Sequence, residues 1–217
     1  MHVDSKSPIL YFGTPVVLLS TINDDGRPNL APMSSAWWLG WRCMLGLASI
    51  SKTTENLRRT GECVLNLPSA EQVGAVDRIA RTTGSDPVPA GKRERGYVHE
   101  GDKFARAGLT PIPSLEVAAP RAAECPIQLE ARVSAIHPLA NDDATFDGFA
   151  LAIEVAVARL HVDESLLMDG NPDRIDSAKW RPLIMSFQEF YGLEGGRLHP
   201  SRLGEIPERL YPRAGAG

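Results

Sequence analysis

The sequence predicts a mainly β chain, an antiparallel barrel with short flanking helices, on three observations. Asn23-Asp24-Asp25-Gly26 separates two strand-like runs and is a hairpin signal, because the turn needs a positive φ that glycine adopts without steric cost. Residues 127–134 and 149–158 place large apolar side chains at every second position, and the turn-forming Asn141-Asp142-Asp143-Ala144 joins them as a hairpin. Helical spacing is confined to short segments, which argues against a doubly wound sheet.

In chain order, residues 1–11 read as a polar arm, and Phe12-Gly13 enters a first strand over residues 15–22. The returning strand carries Pro28 and Pro32, which donate nothing to a ladder, so it belongs at a sheet edge or opens away from the sheet. Trp37-Trp38-Leu39-Gly40-Trp41 reads as an aromatic turn, with packing favoured over ligand stacking for each tryptophan. A third strand spans residues 43–50, where Gly46 marks a close approach to its backbone. A short helix over residues 54–60 buries Leu57 and ends at Gly61, a position for a left-handed cap.

The strand at residues 63–67 stops at Pro68, and a helix starting at Ser69 or Ala70 spaces Val73, Val76, Ile79 and Ala80 before Gly84. Between residues 85 and 101 the pattern dissolves into Asp86-Pro87-Val88-Pro89 and Lys92-Arg93-Glu94-Arg95, either a lid or solvated surface. Residues 102–108 form another short helix, and the strand at 127–134 should keep one wet face. From Lys179 the chain reads as irregular through Arg181-Pro182, Tyr191-Gly192 and Gly195-Gly196, with a mobile end at Ala214-Gly215-Ala216-Gly217. The organisation expected is an arm (1–11), one barrel domain (12–178) and an irregular extension (179–217).

A formal charge of -4 gives no electrostatic basis for holding a nucleic acid backbone. Cys43, Cys63 and Cys125 form no CxxC pair, and Cys43 and Cys63 lie in apolar strands, as expected of a reducing, cytoplasmic compartment. No apolar run reaches membrane-spanning length; the longest candidates are broken by Arg42 and Glu154. His2, His99, His137, His161 and His199 show no ligand spacing, so no metal is expected. GxSxG and GxGxxG are both absent.

Ser51-Lys52-Thr53-Thr54 directly precedes a helix, where free amides and the positive dipole end favour an anion. Its hydroxyls and the Lys52 charge suit phosphate oxygens; plain capping by Thr53 or Thr54 is the structural alternative. The proline-interrupted stretch from Asn29 to Ser35 offers further hydrogen-bonding groups to a flat heterocycle.

These residues carry a resemblance. Pro15-Val16-Val17-Leu18-Leu19-Ser20-Thr21, Gly26, Asn29-Leu30-Ala31-Pro32-Met33-Ser34-Ser35, Ser51-Lys52-Thr53-Thr54-Glu55-Asn56-Leu57 and Gly61-Glu62-Cys63-Val64-Leu65-Asn66-Leu67 together resemble the flavin reductase-like family of FMN-binding split barrels. The resemblance covers about residues 12–165 and is dense up to Leu67. It implies a split barrel and a homodimer with FMN, or FAD in its place, near the subunit interface. Asn29, Ala31, Met33, Ser34, Ser35 and Ser49 would line the ring and ribityl chain; Ser51, Lys52, Thr53, Thr54 and Asn56 would take the ribityl end and phosphate. The implied activity is NADH- or NADPH-dependent flavin reduction, with a monooxygenase as a partner for the reduced flavin. An FMN electron carrier, a dedicated redox enzyme on an organic substrate and a non-catalytic binding barrel are the alternatives. Two departures stand out: Ala152-Ile153-Glu154-Val155 replaces a family Gly-Glu-Val element, and Thr145-Phe146-Asp147-Gly148 stands where nicotinamide-using members often carry histidine.

Overall fold

The computed structural model describes residues 1–193, 198–207 and 210–211. The expectations for Gly195-Gly196 and for the end at Ala214-Gly215-Ala216-Gly217 lie outside the described residues. In chain order the main elements are β1 (Val17–Ile22), β2 (Pro28–Met33), β3 (Ala36–Leu39), β4 (Arg42–Ala48), α1 (Lys52–Thr60), β5 (Glu62–Leu67) and α2 (Val73–Ile79). They continue with α3 (Ala90–Glu94), α4 (Lys103–Ala107), β6 (Ile127–Leu139), β7 (Ala150–Val162), β8 (Leu183–Ser186) and β9 (Glu189–Gly192).

The fold is mainly β, an antiparallel split barrel. Its sheet runs β2-β1-β5-β6-β7-β4-β3, so the edge strands β2 and β3 are neighbours in sequence. Only Ser34-Ser35 separates them, which draws the two edges together at one point while the strands diverge beyond it. The proline-bearing β2 is an edge, as a strand with missing donors must be.

Val17, Leu19, Cys43, Leu45, Cys63, Leu65, Ile153 and Val155 fill the interior, and Leu57 of α1 packs onto them. A second cluster lies outside β1, where Leu18 and Leu30 meet Val76, Ile79 and Phe104 of α2 and α4. β1 is therefore buried on both faces. Each fully buried aliphatic side chain contributes roughly 1.5–3 kcal/mol.

Several elements differ from expectation. The segment read as an aromatic turn begins with a strand, β3, and only Gly40-Trp41 turns; Trp38 packs on the core, while Trp37 and Trp41 are exposed. The second helix opens with a 3-10 turn at Ala70–Gln72 and ends at Ile79, before a two-residue strand at Thr82–Thr83. That strand pairs in parallel with Val98–His99, so residues 85–101 form an ordered excursion containing α3.

β6 lacks the wet face expected at its start, because residues 114–119 cover it: Val117 and Ala119 pack on Val64 of β5, and Glu130 is fully buried. Past Lys179 the chain is not wholly irregular. β8 and β9 form a hairpin, and β8 also pairs with Thr14–Pro15. Its turn holds Phe187 and Gln188 at φ 47° and 70°, residue types that give no hairpin signal in sequence.

Candidate functional site

The split between the barrel's edges builds a wedge-shaped cleft. β3 pairs with β4 only from Arg42 to Leu45, and the Gly46 amide then donates to the Ser35 carbonyl at 2.7 Å. From Leu47 onward that edge of β4 has no ladder partner, and neither has the outer edge of β2. Ser34-Ser35 closes the narrow end. A built Cβ on Gly46 would lie 2.9 Å from Ser35 Cβ, so the close approach expected there is to Ser35. At the wide end α1 enters, and the Asn29 Nδ2 donates to Thr53 Oγ1 at 3.2 Å, tying β2 to the helix.

The α1 cap is Ser51, not Thr53 or Thr54. Ser51 Oγ accepts from the Thr54 amide at 3.1 Å, and Thr54 Oγ1 donates to the Ala48 carbonyl at 2.8 Å. The amides of Lys52 and Thr53 keep no partner among the described residues, leaving two donors at the positive end of a nine-residue helix. Lys52 reaches back to Glu55 at 2.8 Å and lies 4.0 Å from Asp24. A cavity of about 420 Å³ opens here, lined by Ser49, Ser51 and Arg58 among others.

The other expected residues fall into two groups. Asn29, Thr53, Thr54 and Asn56 are buried in an internal network that seats α1: Asn29 and Asn56 both donate to Thr21 Oγ1, and Asn56 also donates to Asn23. Their Oδ1 atoms accept nothing, although both are buried. Ala31, Met33, Ser34 and Ser35 are half-buried along the β2 rim, and Ser35 Oγ lies 3.4 Å from the Tyr11 hydroxyl. Ser49 donates to the Gly148 carbonyl and its amide to that of Phe149, which fastens the β6–β7 loop beside the cleft.

One lysine escapes sequence reasoning. Lys103 is 4% exposed, and its ammonium has no hydrogen-bond or ion-pair partner among the described residues. Burial, with Lys92 nearby, pushes it down to about 8, against which Glu100 pulls weakly upward. The excursion at 82–101 reaches the cleft through Gly84, which packs so closely that a built Cβ would lie 2.7 Å from Asn29 Oδ1 and 3.1 Å from Lys52 Cγ; next to it Lys92 donates to Thr83 at 3.2 Å. The sequence signal is a lysine on the same short helix face as the buried Phe104 and Ala107.

Comparison with known proteins decides the family. A family model described as a flavin reductase like domain matches residues 9–193. The chain belongs to the flavin reductase-like family. It is 39% identical over 188 residues to the YdfE protein of Bacillus subtilis (strain 168), covering 87% of each chain. Flavoredoxin of Desulfovibrio vulgaris (Miyazaki F) superposes with a TM-score of 0.73 at 23% identity, over 94% of this chain and all of that one. Nitrilotriacetate monooxygenase component B from Bacillus cereus gives 0.68 at 21%, covering 87% and 88%. Flavin-related redox chemistry accompanies this family, and no helix among the described residues is long and apolar enough to cross a membrane.

The free amides, the hydroxyl of Ser51 and the cations Lys52 and Arg58 suit a ligand with an anionic tail. The open strand edges suit a planar body with hydrogen-bonding groups. The residues of this flavin reductase-like chain therefore fit a flavin.

Proposed function

We propose that the chain is an FMN-dependent oxidoreductase that transfers hydride from NADH or NADPH to flavin in the β2–β4 cleft, with FAD as the alternative flavin. The observation that carries this reading is the N-terminus of α1, with two unpartnered amides at the open mouth of two unpaired strand edges. Ser51, Lys52, Thr53 and Arg58 would hold the phosphate. Asn29, Thr54 and Asn56 would fix α1 so that its amides point at that group, and Ala31, Met33, Ser34, Ser35 and Ser49 would border the ring and ribityl chain. Bound FMN would supply a ring that takes up and releases hydride.

A homodimer is part of the proposal. Tyr11, Phe12, Trp37 and Phe187 are exposed near Ser35, a larger aromatic surface than a monomer ordinarily leaves in water. The three cysteines are buried and unpaired, which supports a reducing compartment such as the cytoplasm. A monooxygenase would be one consumer of the reduced flavin. A second reading, an FMN electron carrier, is favoured by Phe146 and Phe149, which expose apolar surface to a protein partner where a histidine would serve nicotinamide.

The test is spectroscopic. Purified protein reconstituted with FMN should be yellow and should bleach anaerobically with NADH or NADPH. A yellow protein inert to both overturns hydride transfer and leaves the carrier. Lys52→Ala with Thr54→Ala should weaken FMN at least tenfold while changing riboflavin, which lacks the phosphate, less than threefold, about 1.4 against 0.6 kcal/mol. Equal losses for both would reduce this junction to a capped helix end.

A further inference from the structure

A second cavity lies away from the cleft. It measures about 1150 Å³ and lies at the far end of the barrel, between the ends of β6 and β7, the segment at 111–126 and the strand Asn171–Ile175. β7 runs from Ala150, paired with Ala48 beside the cleft, to His161 on the cavity wall, roughly 35 Å of extended chain. The cavity is larger than most small-molecule sites need, roughly 300–1,000 Å³.

Its wall holds a fixed acid–base couple. Glu130 is fully buried, and its carboxylate accepts the amides of Leu115 at 3.0 Å, Glu116 at 2.5 Å and Val117 at 3.2 Å. His161 Nε2 lies 2.6 Å from the other oxygen, Oε1. Burial acts to raise the Glu130 carboxyl, but the amides of Leu115 and Glu116 and the His161 ring outweigh it and hold the group below its ordinary value. A charged Glu130 makes Nε2 the protonated ring nitrogen. Nδ1, which bonds to nothing among the described residues, is the nitrogen left for a ligand.

Arg121 lines the same cavity. It donates from Nη1 to Gln128 and from Nε and Nη2 to the Pro113 carbonyl, so it is held in place with two of its five N–H groups over. Leu129, Val157, Leu160 and Ile175 supply the apolar wall. The remaining charges on the lining are Arg174, Asp163 and Asp173; Asp163 is engaged by the amide and hydroxyl of Ser165.

We propose that this cavity is a second, flavin-independent binding site for a small carboxylic acid with an apolar body. The carboxylate pairs with Arg121 and with His161, and the hydrocarbon part lies on the aliphatic wall. In the bound state the imidazole carries a hydrogen on each nitrogen, Nε2 toward Glu130 and Nδ1 toward the ligand carboxylate, in an ion chain of carboxylate, imidazolium and Glu130. No covalent bond changes.

Phenylacetate tests this, with phenylacetamide as the neutral isostere, by calorimetry on the flavin-loaded protein and by emission of Trp41, which lines the cavity. Phenylacetate should bind at least tenfold more tightly than the amide without shifting the flavin spectrum. His161→Gln should weaken phenylacetate about tenfold, leaving flavin affinity unchanged. Equal binding of acid and amide, unchanged phenylacetate affinity in His161→Gln, or displacement of flavin by phenylacetate would each overturn the proposal.

Discussion

The two ends of β7 treat their charges in opposite ways. At the far end Glu130 is surrounded by three amides and an imidazole, so its charge is fully met within the chain. Away from it Lys103 is buried near Lys92 with no partner among the described residues, and at the cleft end the Lys52 and Thr53 amides are likewise unmet. A charge satisfied internally fixes a fold, whereas one left unsatisfied at a cleft holds free energy that only a ligand of opposite sign releases. Substitutions should therefore act mainly on stability at one end and on flavin at the other.

The largest expected effect is at Glu130. Glu130→Gln should cost about 3–5 kcal/mol in urea unfolding, because several charge-assisted bonds weaken together inside the protein. The group's folded value lies below its ordinary 4.5, so its contribution is present above that pH and disappears as pH falls through the lowered value. Acid unfolding of the unsubstituted protein should show that slope, and the variant should lack it.

Lys103 should behave with the reverse sign. Lys103→Met is expected to stabilise the flavin-free protein below pH 8 by on the order of 3 kcal/mol, the equivalent of lowering the amine from 10.5 to about 8. The unfolded chain holds the proton up to 10.5 and the folded one only to about 8, so stability should rise with pH between them, and the variant should not show this rise. Equal stability of variant and parent at pH 7 would mean that the ammonium reaches water.

A smaller change is expected from Gly84→Ala, whose methyl would enter the space of Asn29 Oδ1, 2.7 Å away. A loss of about 1–3 kcal/mol with a weakened Asn29–Thr53 tie is the expected result in thermal melts. Ser51→Ala removes the cap, about 1 kcal/mol of stability, together with one hydroxyl of the proposed phosphate site. Its effect on FMN should be below that of the Lys52 and Thr54 pair.

Local signals explain which parts of this fold are legible in sequence. Gly26, Gly61 and Gly108 each take a positive φ at a turn or helix end, and alternation in β7 matches its pairing from Ala150 onward. The proline-broken β2 is an edge for the reason its residues give. What is hidden depends on distant covering. Nothing in residues 127–131 announces that a loop seals their outer face, and no glycine or asparagine marks the turn at Phe187-Gln188. At the cleft, the helix start is visible in Ser51-Lys52-Thr53-Thr54, but the side chain that caps it is settled by Thr54 bonding back to Ala48. Lys103 shows only as a cation on a buried helix face, a meaning that requires Lys92 across an excursion of ten residues.

The two-residue link between β2 and β3 also makes the cleft self-reporting. Ser34-Ser35 leaves no slack between the rim and Trp37-Trp38, so a guest that spreads the rims must shift the indoles that follow immediately in the chain. Intrinsic fluorescence therefore follows occupancy without any attached dye, and an exposed Trp37 beside a packed Trp38 separates solvent quenching from motion of the wall.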